Sequence, residues 1–546
     1  MRKFSLLILF LLSFNFSAQN LSETQKLESL CRVWGFLKYY YPNVAKGKFN
    51  WDDQLFQKID ELENINDKNH LNELYSNWID SLGKIDECKE CLKEENKIYF
   101  LKNFDLSWIN NQNIFSENVI RKLNYIRNNR NYGENYYFGI NGRKVYFRNE
   151  NSYGSKFISK QISLFELFRY WNYAEYFFPY KYKTDQNWND VLTEMIPKFL
   201  NINNDVNYHL NLAELVTKTD DSHAFLMSPL ISLNQYGRRN IPVEYSYAEG
   251  KLVITKLNSN TFNEENPLQV GDVIYDINGL TIPQKVNAFG KYIPASNSWG
   301  KIKKVRKLFL MTNKDSTDLK IERNGENLAL RVKTYFLKDI ISEKPIQSEK
   351  WKFMDDERKI GYVNMGVIER KDLDEMFKNL KSTESIIIDS RNYPKMTILP
   401  LSKLFLPDNT VYYQFMFPET NYLSKFYSRK NSIGRKNSEY YKGNVVILVD
   451  ENTQSQAETT VMMFKQHPKA KVIGSYTSGA NGDVIRFNIA DLETSFTGLG
   501  AYYPDGKETQ RIGIIPDIIV KPTVKGIQGG KDEILERALK YIKEGY

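Results

Sequence analysis

The sequence predicts a mixed α/β protein of about three to four domains, taking ~100–200 residues per domain over its 546 residues. Three observations carry that expectation. Two short unbroken apolar runs, Ile386-Ile387-Ile388-Asp389 and Val445-Val446-Ile447-Leu448-Val449-Asp450, end in carboxylates and read as buried strands of an α/β core. Aromatic-rich helical patterns recur in the N-terminal half. Between the two, from about residue 237 to 335, lies a β-rich stretch. A composition of 41% hydrophobic and 26% charged residues gives ample material for a large core and excludes a disordered chain.

The first element is a leader. Met1-Arg2-Lys3 is a positive start, Leu6 to Phe14 an apolar stretch, and Ser17-Ala18 a small-residue cleavage site before Gln19. Residues 1–18 therefore read as a secretory signal. No later segment reaches ~18 uninterrupted apolar residues, so no stable membrane span is expected. The mature chain should be exported, and it lacks a dedicated sorting domain after its core, which favours the periplasm over full secretion. The net charge of +9 comes without a dense Arg/Lys block, because Lys alternates with Asp and Glu. A solvated surface explains it, and nucleic acid is not an expected partner.

Residues 19–150 are expected to form an N-terminal helical region, and 151–236 to hold a second helical copy together with the His-bearing segment of the core. An internal repeat relates them. Trp34-Gly35-Phe36-Leu37-Lys38-Tyr39-Tyr40-Tyr41-Pro42 resembles Trp171-Asn172-Tyr173-Ala174-Glu175-Tyr176-Phe177-Phe178-Pro179, and Trp51, Asp53 and Leu55 match Trp188, Asp190 and Leu192. The offset is constant, with no gap. Each copy reads as an aromatic-faced helix stopped by proline, a short loop and a second amphipathic helix. Core packing explains such aromatic rows; a carbohydrate platform is the less favoured reading. Cys88 and Cys91 sit in a C-x-x-C pair. Zinc needs about four ligands and no second pair or His cluster follows, so a disulfide is expected instead, and no metal. Cys31 reads as a buried thiol.

Residues 237–340 change to short β runs, such as Leu252-Val253-Ile254, with Asn278-Gly279 as a turn signal. The stretch Leu268 to Gly279, reading L-Q-V-G-D-V-I-Y-D-I-N-G, resembles the central segment of a PDZ domain. That resemblance implies an inserted module able to take an extended peptide on a sheet edge. The usual glycine-rich carboxylate-binding loop is not evident.

The last region, 341–546, alternates strand-like Ile360 to Val363, helix-like Leu373 to Leu380 and the two buried runs. The second run leads into Glu451-Asn452-Thr453-Gln454-Ser455-Gln456-Ala457-Glu458 and then a helical pattern. A serine at a strand-to-helix junction projects from a rigid turn, and the helix N-terminus favours developing negative charge, with the Gln456 N–H as an oxyanion donor. The same pattern equally fits an N-cap, with Glu458 completing a capping box. Four histidines are available as a base: His70, His209, His223 and His467. His70 reads as part of a polar loop. His467 lies three helical turns past Ser455, ~16–18 Å of rise, too far to take its proton. His223 sits in the acidic turn Thr219-Asp220-Asp221-Ser222-His223.

Asp221-Ser222-His223-Ala224, the PDZ-like module, the strand ending at Asp389 and the Ser455 turn occur in an order that resembles the tail-specific, C-terminal-processing serine peptidases, above all their tricorn-type branch. The run Gly506 to Ile518 resembles that family's closing motif, so the likeness covers roughly residues 160–545. It implies a crotonase-like (ClpP-like) spiral β-α core, Ser455 as nucleophile, His223 as base and Ser222 as an auxiliary serine, with a polypeptide substrate and no cofactor. The processing branch places a lysine where this chain has Ala480, which excludes a serine–lysine dyad at that position. The implied orienting acid falls on Glu508 or Asp505, with Gln510 as another occupant of that place. Family members carry a glycine-rich oxyanion stretch after the Asp389-type strand; here Asp389-Ser390-Arg391-Asn392-Tyr393-Pro394 leaves the Tyr393 N–H or the Asn392 side chain. That departure keeps a catalytically inactive peptide- or protein-binding homologue as the alternative. For Asp389 and Arg391 a structural ion pair is the favoured reading.

Overall fold

The computed structural model describes residues 21–93, 97–258, 261, 266–340 and 348–545. The expected leader, 1–18, lies outside them. The chain divides into two compact units, one running through Leu92 and resuming at Leu106–Tyr132, the other made of Lys93–Asp105 and everything from Gly133 onward.

The first unit is helical, with helices at Glu23–Tyr40, Trp51–Glu63, Lys68–Ser81 and Glu117–Asn128. Ser22 and Gln25 start the first by a reciprocal capping box. From Ser29 to Tyr40 every residue is buried. The helix is thus enclosed all round rather than on one aromatic face. Cys88 and Cys91 form a disulfide, and Cys31 is buried.

The second unit repeats the opening motif at Lys160–Phe177 and Trp188–Leu200. The two copies share one detail. Trp34 Nε1–H donates to the Trp51 carbonyl (3.1 Å) and Trp51 Nε1–H to that of Trp34 (3.2 Å); Trp171 and Trp188 do the same at 2.9 and 3.2 Å. All four indoles are at most 2% exposed, which removes the carbohydrate-platform reading. Each reciprocal pair satisfies two buried N–H groups and two carbonyls at once.

Two large sheets follow. The first runs Trp351–Phe353, Ile360–Asn364, Ser385–Asp389, Asn444–Val449, Ala470–Gly474, Ile518–Ile519, all parallel after the first pair. Its two central strands are the continuous apolar runs of the sequence, buried on both faces as parallel strands must be. Their register aligns Asn364 with Asp389, Asp389 with Leu448, and Val449 with Gly474, so the loops after them gather at one edge. The second sheet is antiparallel: Tyr99–Phe100, Phe426–Ile433, Thr410–Pro418, Leu492–Tyr502 and Asp483–Ile489, with Phe225–Leu226 paired onto Leu492–Tyr502.

Residues 243–333 form a separate small sheet in the order Glu326–Lys333, Ser316–Arg323, Val273–Ile277, Lys251–Leu257, Val243–Ala248, covered by helices Ile282–Gly290 and Ser298–Val305 around their own apolar core. Asn278 and Gly279, with φ of 54° and 82°, turn the chain between Val273–Ile277 and Leu280–Thr281, as an Asn-Gly pair does.

Candidate active site

The strand Asn444–Val449 delivers the chain to a tight loop. Asn452 donates to the Asp450 carboxylate through its backbone N–H (2.7 Å) and side chain (2.9 Å), and Thr453 Oγ1 donates to the Ser390 carbonyl (2.8 Å). The loop ends at Ser455, whose backbone lies at φ 59°, ψ −120°. An ordinary N-cap sits in the extended region. A non-glycine residue held here carries strain of order 1–3 kcal/mol, which persists only where its surroundings impose it. Those surroundings are the Ala480 carbonyl (2.8 Å) and the Glu458 carboxylate (3.2 Å), both accepting from the Ser455 N–H. The helix Gln456–Phe464 starts at the next residue, and its first N–H groups have no intrahelical acceptor.

Glu458 is 1% exposed and accepts also from Thr477 Oγ1 (2.5 Å) and the Gly479 N–H (3.0 Å). Burial pushes its carboxyl up to about 7 despite those donors. Burial and the neighbouring Glu451 push Asp450 up to about 7 as well. Lys303 Nζ donates to Gln454 Oε1 (2.8 Å), and Gln454 Nε2 donates to the Ser222 carbonyl (3.2 Å). The residue before the candidate nucleophile is thereby bonded to the residue before the candidate base.

His223 is placed by sheet register. Phe225 pairs with Ser495 and Leu226 with Thr494, so the antiparallel ladder extrapolates to Thr497 opposite His223. The His223 carbonyl accepts from Ser495 Oγ (2.7 Å), and its Nδ1 bonds Thr497 Oγ1 (2.8 Å). Its Nε2 is buried with no hydrogen-bond partner among the described residues. Burial lowers the imidazole pKa; Asp221 opposes that, and Lys304 reinforces it.

Ser222 is tied up otherwise. Its Oγ accepts from the Ser296 N–H (2.8 Å) and donates to the Ser478 carbonyl (3.0 Å), while its N–H donates to Ser296 Oγ (2.8 Å). A Cβ at Gly300 would lie 2.5 Å from that oxygen, so a glycine is required there. The Glu508 carboxylate accepts from the Tyr182 hydroxyl (2.7 and 2.8 Å) beside Lys102. Asp505 is solvent-facing and paired with Lys507. Of the closing motif it is Gln510 that reaches inward, its Nε2 near Asp221 (3.3 Å) and Ser296 (3.4 Å). Tyr393 is 59% exposed. Asn392 Nδ2 is used on Asn364 (2.9 Å), and its Oδ1 is buried without a partner. Arg391 pairs with Asp389 and with Asp532, both at 2.7 Å.

The other histidines are committed to structure. His70 belongs to the first turn of the helix Lys68–Ser81 rather than to a loop, because Asp67 caps that helix by accepting from the Asn69 and His70 N–H groups. His467 lies beyond the helix, which ends at Phe464, and bonds the Tyr441 carbonyl (2.9 Å). His209 bridges Ser228 and the Ser155 carbonyl. Sequence reasoning passed over Asp221, Thr497, Ser296 and Lys303. Asp221 stood in the quoted acidic turn, but nothing local marks it off from Asp220; the other three reach the site through pairings 74 to 274 residues long. Among the described residues no group of three or more His, Cys, Asp or Glu could hold a metal ion, and no helix is long and apolar enough to cross a membrane.

A strained serine opens a helix of this mixed α/β scaffold, and a buried imidazole precedes the strand Phe225–Leu226 of its antiparallel sheet. Residues 359–520 match the model of Peptidase family S41, so the chain carries a domain of that family, in line with the resemblance to the tail-specific serine peptidases. Among solved structures it is similar to mature CPAF, at 14% identity and a TM-score of 0.57 over 71% of this chain and 99% of that one. Mature CPAF complexed with lactacystin gives 14% and 0.56, over 70% and 98%. The photosystem II D1 C-terminal processing protease gives 15% and 0.38, over 69% and 99%. A comparison with curated proteins gives no match.

Proposed function

We propose that this chain is an exported serine peptidase that cleaves polypeptides through an acyl-enzyme, with Ser455 as nucleophile and His223 as base. The observation that carries the reading is the link by which Gln454 Nε2 donates to the Ser222 carbonyl (3.2 Å), tying the positive-φ, non-glycine Ser455 to the segment of His223, whose buried Nε2 has no partner among the described residues. His223 Nε2 takes the proton from Ser455 Oγ as that oxygen attacks the scissile carbonyl carbon. The oxyanion is met by the Gln456 N–H at the helix start, with the Tyr393 N–H as a second donor. The imidazolium then returns its proton to the departing amine, and water releases the acyl group by the same route. Ala480 beside the nucleophile supports the histidine-based, tricorn-type arrangement over a serine–lysine dyad, since only a methyl group stands there.

The sheet within 237–340 is read as a PDZ module, supported by the L-Q-V-G-D-V-I-Y-D-I-N-G run and by Val243–Ala248 standing last in its strand order among the described residues. An extended peptide would add there as a strand. The leader and the Cys88–Cys91 disulfide support an oxidising, extracytoplasmic location, the periplasm in first place. One observation favours the alternative of a catalytically silent binding protein: the 389–394 loop has no glycine and commits Asn392 Nδ2 to Asn364. A missing oxyanion donor costs ~2.7–4 kcal/mol in the transition state, enough to slow an enzyme about a hundredfold or more.

Labelling with a fluorophosphonate probe separates the two readings. The wild type is expected to label, Ser455→Ala to lose all labelling, and His223→Ala to fall at least a hundredfold. Folded wild type that stays unlabelled would favour the silent binder, and labelling that persists in Ser455→Ala would move the nucleophile elsewhere.

A further inference from the structure

Resting on the Ser455–His223 reading, we propose that Asp221 and Thr497 are the positioning residues of the base, Asp221 locking two chain segments together so that Thr497 Oγ1 fixes the imidazole at Nδ1 and leaves Nε2 as the proton acceptor. Glu508 and Asp505, the acids expected from the closing motif, are engaged with Tyr182 and Lys507. Asp221 is fully buried and lies two residues before His223. Its Oδ2 accepts from the Thr497 N–H (2.6 Å) and its Oδ1 from the His223 N–H (3.0 Å), with Gln510 Nε2 at 3.3 Å. The carboxylate thus clamps the backbone of the base to the backbone of the residue whose hydroxyl meets the ring.

The tautomer follows from what is buried. Nε2 has no acceptor, and an orphaned buried N–H is rarer and costlier than an orphaned lone pair, so the proton belongs on Nδ1, donating to Thr497 Oγ1. That leaves the Nε2 lone pair for the serine proton. Once the proton is taken, an imidazolium sits in a site where every nearby charge counts. Asp221 and Asp483 favour it, whereas Lys304, whose Nζ donates to the Ala224 carbonyl (2.7 Å), and Lys303 oppose it. Asp221 is the buried member of the favourable pair and is fixed by three donors. Its field therefore costs no reorganisation during proton transfer. Gln510, a neutral amide, completes the clamp without adding charge.

The rate of fluorophosphonate labelling against pH tests this in the full-length protein. Asp221→Asn keeps the shape but removes the charge. It is expected to slow labelling at least tenfold and to move the acid limb of the profile to lower pH, because an imidazole without its anion loses its proton more readily. Thr497→Val should also lose at least tenfold, while Thr497→Ser, which keeps the hydroxyl, should stay within about threefold of wild type. An acid limb unmoved in folded Asp221→Asn overturns the proposal. Should that variant fail to fold, the Thr497 pair decides: equal rates for Val and Ser overturn it, and a Ser rescue supports it. Wild type that does not label at all sinks the peptidase reading itself, and this proposal with it.

Discussion

At Ser455 the backbone conformation and a buried carboxyl are coupled, since Glu458 accepts from the Ser455 N–H and helps to impose the positive φ. Glu458 and Asp450 both have raised pKa values, from 4.5 and 3.8 to about 7. The folded chain therefore keeps protons that the unfolded chain releases. The sign is the reverse of a salt-bridged acid: these groups favour the fold at low pH and withdraw that support as pH rises from about 4 to about 7, by at most about 1.4 kcal/mol per pH unit for each group. Glu458→Gln removes one of the two. Its melting temperature is expected to fall less steeply between pH 4.5 and 7 than that of wild type. Parallel curves for the two proteins would show that Glu458 does not titrate in that window.

Among the elements, the helix Glu533–Glu544 illustrates how the parallel sheet is covered. Its Ile534 and Ala538 pack on Ile387, Val446, Leu448 and Ile473, and its N-cap Asp532 accepts from the Leu535 N–H (3.1 Å) while pairing with Arg391. Asp532→Ala removes the cap and the pair together. Hydrogen exchange across 533–544 should accelerate by a factor matching about 1–2 kcal/mol, mostly from the cap, because the Asp532 carboxylate is 41% exposed and its ion pair correspondingly screened. Asp532→Asn, which keeps a capping oxygen, should lose less. Unchanged exchange in Asp532→Ala would remove the cap from the account. At this scale the sequence was readable wherever a signal is local. The apolar runs became Ser385–Asp389 and Asn444–Val449, Leu373–Leu380 became a helix with those bounds, and Asn278-Gly279 became a turn. The ion pair of Asp389 with Arg391, two residues apart, was equally legible. The extent of His70's helix and the end of His467's were not, because each depends on a cap one residue outside the pattern.

For the whole molecule, what the sequence withheld was long-range register. That Thr497 stands at His223, that Ser296 grips Ser222, and that Lys303 and Arg306 hold the loop before Ser455 all depend on segments 74 to 274 residues apart being folded together. No periodicity encodes such a pairing, and so the sequence pattern points to Glu508 in the closing motif, while only the fold marks Asp221 as a fully buried carboxylate. The same contacts make the site composite. The helix Ser298–Val305, which covers the sheet of residues 243–333, and the residues flanking it supply Ser296, Asn297, Lys303 and Arg306 to the loops around Ser455, and Asn297 Nδ2 bonds the carbonyls of Thr477 and Arg511.

The proposed reaction is the cutting of polypeptides with Ser455 as nucleophile. An unfolded protein incubated with wild type and with Ser455→Ala, its products read by mass spectrometry, tests it most directly. New internal termini that accumulate with wild type and are absent with Ser455→Ala are the predicted result. An intact substrate with both proteins, or the same fragments from both, would contradict it.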